Sequence, residues 1–183
     1  MKKLTLPRLA SAVLGALFFL AACIVLAVRL VRGEAGLTDA AALVLTAAGG
    51  AALTVLALCA YAADRQIGTD MLNWLRGPRP LNGQEISFLN DRFRDGKTYL
   101  PFTYFAGSTP DNNYTPNQPY TIRVESNHVS GEEQGYMKLF IPCGGADSPR
   151  PIKLRQRGSD GKWFLWEQYL LTVRTPKSAD PWA

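Results

Sequence analysis

The sequence predicts two transmembrane α-helices forming a helical hairpin, followed by a small mainly-β (α+β) domain. The antiparallel sheet of that domain is expected to curl into a sandwich or partly open barrel with one short helix. Three observations lead there. Residues 9–28 and 40–63 are uncharged runs of 20 and 24 residues, each long enough at about 1.5 Å per residue to cross a hydrocarbon core of roughly 30 Å. Neither run carries the polar stripe that a helix at the surface of a soluble core needs. From residue 84 onward, short alternating apolar segments separated by Gly-, Pro- and Asn-rich turns replace the long runs, which is the pattern of antiparallel strands.

The expected organisation is therefore a two-helix membrane anchor over 1–63, a juxtamembrane amphipathic linker over 64–83 and a domain over 84–183. Between the spans, Gly33 and Gly36 lie in a polar turn, with Thr38 or Asp39 placed to cap the second helix. Small residues recur at helical spacing, Ser11 with Gly15 on the first run and Ala48 with Ala52 beside Gly49 and Gly50 on the second, and such faces let helices approach closely. No ionisable side chain interrupts either run, so the pair reads as an anchor and not a transporter. Lys2, Lys3 and Arg8 precede the first span, Arg29 and Arg32 sit in the turn, and Arg65, Arg76 and Arg79 follow the second. That count favours both termini inside, giving a multi-pass inner-membrane protein with its domain in the cytoplasm. The string Leu20-Ala21-Ala22-Cys23 offers a competing lipoprotein signal, opposed by the apolar run that continues past Cys23.

In the linker, Ile67, Met71, Trp74 and Leu75 fall at i, i+4, i+7 and i+8, a one-sided stripe suited either to the headgroup layer or to packing on the domain. Gly77-Pro78-Arg79-Pro80 stops that helix. Ile86, Leu89 and Phe93 mark the domain's short helix, ended by Asp95-Gly96. Strands are expected over 98–105, 120–125, 136–141, 151–157 and 162–167, with a further one over 169–173. The pair 151–157 and 162–167 is joined by Gly158-Ser159-Asp160-Gly161, where Asp-Gly suits the positive φ of a hairpin turn. A chain truncated at Gly83 is expected to fold.

Several strings in this part, among them Asp95-Gly96-Lys97-Thr98-Tyr99, Asn112-Asn113-Tyr114-Thr115-Pro116, Trp163-Phe164-Leu165-Trp166-Glu167 and Asp180-Pro181-Trp182, resemble a bacterial domain family of unknown function. The resemblance covers about residues 84–183. It implies a bacterial source and a recurring module, and it brings no activity, cofactor or catalytic residue.

Charge narrows the function classes. The chain carries 20 Lys and Arg against 15 Asp and Glu. Residues 84–183 hold twelve basic and eleven acidic side chains, too balanced for a sequence-independent nucleic-acid binder. The only His is His128, and the only Cys beyond the apolar runs is Cys143, followed by Gly144-Gly145, whose amides could form an anion nest. A membrane-tethered cysteine hydrolase using Cys143 is the enzymatic alternative, and a structural subunit of a membrane complex is another. No metal-ligand spacing or cofactor fingerprint is present, so neither a metal nor a cofactor is expected.

Binding is the preferred reading. Strand alternation puts Lys153, Arg155 and Arg157 on one face and Ile152 and Leu154 on the other. Trp163 and Trp166 lie on opposite faces, one a core residue and the other a candidate for contact with the basic row. Tyr114 stands in the middle of a long Pro- and Asn-rich loop over 106–119. Asp147 is expected to pair with Arg150 in a tight turn. The expected partners are the lipid bilayer and a protein, with no nucleic acid.

Overall fold

The computed structural model of the chain describes residues 46–182. The first expected span, Cys23 and the polar turn with Thr38 and Asp39 lie outside these residues.

Helix α1, Ala47–Ala63, opens inside the second apolar run, where the Thr46 hydroxyl oxygen accepts a hydrogen bond from Gly49 N at 3.0 Å. It has no polar face because it needs none: almost every residue from Gly49 to Tyr61 is buried, packed on helix α2, all three strands and a 3-10 turn. A helix that is apolar all round belongs either in lipid or in a protein core, and α1 is a core helix. Among the described residues no helix is long and apolar enough to cross a membrane. That overturns the two-helix transmembrane hairpin and, with it, the multi-pass inner-membrane placement. The Gly pair has a different purpose from the one expected: a Cβ on Gly50 would lie 2.7 Å from Leu154 Cδ2, so glycine lets α1 settle onto the sheet.

Helix α2, Arg65–Arg76, turns back along α1 with only Asp64 between them, and the Asp64 carboxylate accepts from Gln66 N and Ile67 N at 2.8 and 3.0 Å. The corner is tight. A Cβ on Gly68 would sit 2.2 Å from the Tyr61 backbone. Leu72 and Leu75 are buried while Ile67 and Trp74 stay exposed, so the stripe is split between core and surface. The segment that follows is tied down at both ends: Leu81 N donates to Asn73 Oδ1 at 2.8 Å, and Arg76 reaches Glu85 Oε1 at 2.6 Å. Glu85 also completes the capping box of helix α3, Gly83–Arg92, with Asn82. Tyr61 joins α1 to α3 through a hydrogen bond to Asn90 Oδ1 at 2.9 Å and a ring contact with Phe93 at 5.3 Å.

Strands β1 (Tyr136–Ile141), β2 (Arg150–Gln156) and β3 (Trp163–Gln168) form an antiparallel sheet in the order β1-β2-β3. The expected hairpin joins β2 to β3, with Arg157 N donating to Lys162 O at 2.8 Å. On the inner face Leu139, Ile141, Ile152, Leu154 and Leu165 are each at most 5% exposed, burial that contributes roughly 1.5–3 kcal/mol per side chain. The sheet is an open layer against α1, and neither a barrel nor a sandwich. Residues 98–105 are not a strand: Pro101 sits at the start of a 3-10 turn, Leu100–Tyr104, whose i→i+3 bonds replace sheet pairing. Residues 120–125 contribute only isolated bridges, Ile122 to Phe105 and Glu125 to Phe140. Residues 169–173 are irregular, yet Leu170 and Leu171 are buried.

Candidate functional site: the arginine–aromatic face of the sheet

Alternation along the strands sends a second set of side chains to the face away from α1. Register pairs Tyr136 with Arg155, Arg155 with Phe164, and Lys138 with Lys153. A shift between Lys153 and Leu154 then breaks the ladder, pairing Leu154 with Leu165 but Lys153 with Glu167. Trp166 is the residue left over, a bulge of the kind that re-aims a side chain. Its ring meets Tyr136 edge-on at 5.7 Å.

The cations stack on these rings. The Arg155 guanidinium carbon lies 4.8 Å from the Trp166 centroid and 5.5 Å from that of Tyr136. Arg79, from the segment between α2 and α3, approaches Trp166 at 4.4 Å and donates to its carbonyl oxygen at 3.3 Å. Arg157 lies 4.8 Å from the Phe164 centroid, and Lys153 Nζ 4.3 Å from that of Tyr136. Gly77, at φ +59°, makes room below: a Cβ there would lie 2.4 Å from the Phe164 ring. The result is a cleft of about 430 Å³ with Arg79, Arg155 and Arg157 around Phe164 and Trp166.

The charges differ in how far they are compensated. Lys153 pairs with Glu133 at 2.5 Å, and that hydrogen bond raises its pKa. Arg157 and Lys162 both pair with Asp160, and the Arg157 hydrogen bond holds that carboxyl well below the usual range. Arg79 has a longer contact to Glu85, 3.4 Å. Arg155 is exposed, and among the described residues its side chain forms no ion pair or hydrogen bond. Its guanidinium is positioned by two rings and leaves its N–H groups for something else.

Of the residues singled out in the sequence, Lys153, Arg155, Arg157 and Trp166 meet on this face. Trp163 does not join them. It pairs with Gln156 on the side of Leu165, half-buried near the hairpin. Tyr114 is elsewhere and 2% exposed; its hydroxyl donates to Arg174 O at 2.7 Å and its ring stacks on Tyr99 at 5.6 Å. Burial pushes its pKa up to about 12. It packs the loop onto the segment around Arg174. Arg79, Tyr136 and Phe164 are the members missed from sequence. Tyr136 precedes Lys138 on the same strand face, a signal that was present; Arg79, between two prolines, carries none.

The Cys143 thiol donates to Thr103 Oγ1 at 3.3 Å and accepts from Gly145 N at 3.4 Å. Gly144 N donates to Thr103 O at 2.9 Å. The supposed nest is thus spent on loop packing, where a Cβ on Gly144 would collide with Ser108 O at 1.7 Å. Asp147 pairs with Arg174 and not with Arg150, whose guanidinium donates to Thr172 O at 2.8 Å. Among the described residues no group of three His, Cys, Asp or Glu is placed to hold a metal ion.

A family model for a domain of unknown function, DUF6935, matches residues 37–177. The chain belongs to the DUF6935 family. The match takes in α1 and α2 as well as the sheet, so the DUF6935 module is larger than the stretch over 84–183 in which the resemblance was first visible. No curated protein and no solved structure matches the chain.

Proposed function

We propose that this domain acts by non-covalent binding and presents its arginine–aromatic face to an anionic group on a partner protein. Arg155 carries the reading: an exposed cation held in place by Tyr136 and Trp166 with no carboxylate partner among the described residues. Ordered guanidinium forks bind carboxylates bidentately at little entropic cost, and aromatic and arginine side chains are the ones that anchor interfaces. The hydrogen bonds of Cys143 to Thr103 and Gly145, with no histidine among its partners, favour binding over the cysteine-hydrolase alternative.

Titrating a labelled poly-glutamate peptide onto the full chain by fluorescence anisotropy tests this. Arg155→Ala is expected to raise Kd by about tenfold, the loss of one charge-assisted contact. Equal affinity in the variant and the parent chain would sink the proposal.

A further inference from the structure

The cleft around Arg155 continues past Trp166. On the far side of that residue a second groove of about 340 Å³ runs between α3 and β3, with Leu81, Phe88 and Tyr169 on its walls. Leu165 and Trp166 line both. The second groove has the opposite character. Phe88 is 46% and Tyr169 55% exposed, two large rings open to solvent on the walls of one groove. The one arginine on its wall, Arg76, is paired with Glu85 at 2.6 Å, and Arg92, behind the wall, lies against the Phe88 ring at 5.0 Å. Arg79 marks the boundary, stacked on the Trp166 ring and bonded to its carbonyl.

We infer that the two grooves form one composite docking surface for a short acidic peptide segment, its carboxylates on Arg155 and Arg79 and an adjacent apolar side chain between Phe88 and Tyr169. This rests on the binding reading above and adds to it an apolar requirement. Charge complementarity selects the occupant. The cationic stripe is short, and beyond it carboxylates enter: Glu132, Glu133, paired with Lys153, and Glu167 lie around a neighbouring cleft with Lys138, and Glu167 also stands on the wall of the apolar groove. A phosphodiester backbone tracks along many phosphates, and a charged bilayer is a plane; either would run onto those carboxylates. A peptide with two or three acidic residues beside one apolar residue fits within the stripe and reaches the groove.

The test uses the full chain and three probes: a short Glu–Gly peptide, the same peptide with a central Leu–Phe pair, and vesicles of phosphatidylglycerol in phosphatidylcholine. The Leu–Phe peptide is expected to bind about tenfold more tightly than the Glu–Gly one, as burial of roughly one apolar side chain gives. In Phe88→Ser, and independently in Tyr169→Ser, the two peptides are expected to bind alike. No advantage from the Leu–Phe pair, or an advantage that survives both substitutions, overturns the composite surface while leaving the role of Arg155 standing. Peptide binding that is indifferent to Arg155→Ala overturns both. Arg155-dependent capture by the vesicles, with neither peptide bound, overturns the peptide in favour of a lipid surface.

Discussion

Arg155 and Trp166 lie across β2 and β3 with guanidinium carbon and ring centroid 4.8 Å apart, although the register pairs Arg155 with Phe164. The bulge creates this contact, and because Arg79 uses the same ring, Trp166 is the platform and the arginines its guests. Trp166→Ala should therefore cost about 2 kcal/mol, two exposed cation–π contacts plus lost burial, and Arg155→Ala less than about 1 kcal/mol. Urea unfolding of both variants checks the order; a larger cost for Arg155→Ala reverses the assignment.

The corner between α1 and α2 depends on Gly68. Alanine is worth about 1 kcal/mol more than glycine in a helix, but here its methyl would lie 2.2 Å from the Tyr61 backbone, which cannot rotate away. The clash wins. Gly68→Ala is expected to destabilise by about 2 kcal/mol or more, read as a lowered midpoint in thermal unfolding.

Arg76 is 5% exposed and bonded to Glu85, which is itself 27% exposed and caps α3. Removing either partner strands the other, so Arg76→Met and Glu85→Gln should each cost about 2 kcal/mol, below the range for a fully buried pair. The double variant is expected to cost clearly less than the two added together. Strict additivity in a double-mutant cycle would show the pair to be uncoupled.

Burial keeps the Tyr114 phenol protonated to about pH 12 and raises Tyr104 further. A tyrosine whose folded pKa lies above its unfolded value near 10 supports the fold fully below pH ~10 and loses that support as pH rises through the folded value. Stability should thus fall between pH ~10 and 12, and less steeply in Tyr114→Phe. Tyrosinate absorbance at 295 nm should show these two phenols ionising only as the chain unfolds. Smooth ionisation of all tyrosines near pH 10 in the folded protein contradicts this.

A chain beginning at Gly83 lacks α1, and the inner face of the sheet, Leu139, Ile152, Leu154 and Leu165, loses the helix that covers it. Far-ultraviolet circular dichroism should find it unfolded, whereas a chain beginning at residue 44 should unfold cooperatively. A cooperative transition in the shorter chain would mean that the sheet is stable alone.

Local signals in the sequence were read correctly where one element satisfied itself. The Asp160-Gly161 turn and the alternation of Lys153, Arg155 and Arg157 each depend on near neighbours and reappear in the structure. Errors arose where distant residues decide. An all-apolar helix is equally consistent with lipid and with a core, and only the contact of Gly50 with Leu154, more than a hundred positions away, selects the core. Thr46, capping α1 within the apolar run, was the local clue that the helix is shorter than the run. Residues 98–105 have strand composition, but Pro101 and a missing partner strand make a 3-10 turn of them. At the site, Arg79 and Trp166 meet only because a bulge and a clamped linker bring them together.

The order of elements along the chain has a consequence for synthesis. Helix α1 leaves the ribosome roughly 100 residues before β3, which completes its cover, and at about 5–20 residues per second that interval lasts roughly 5–20 s. For that time the nascent chain displays an apolar helix that has α2 beside it but not yet its full sheet cover, chemically similar to the segments that targeting and chaperone machinery capture. Production of this domain should accordingly be governed less by its final stability than by how quickly translation delivers the sheet to the helix that is waiting for it.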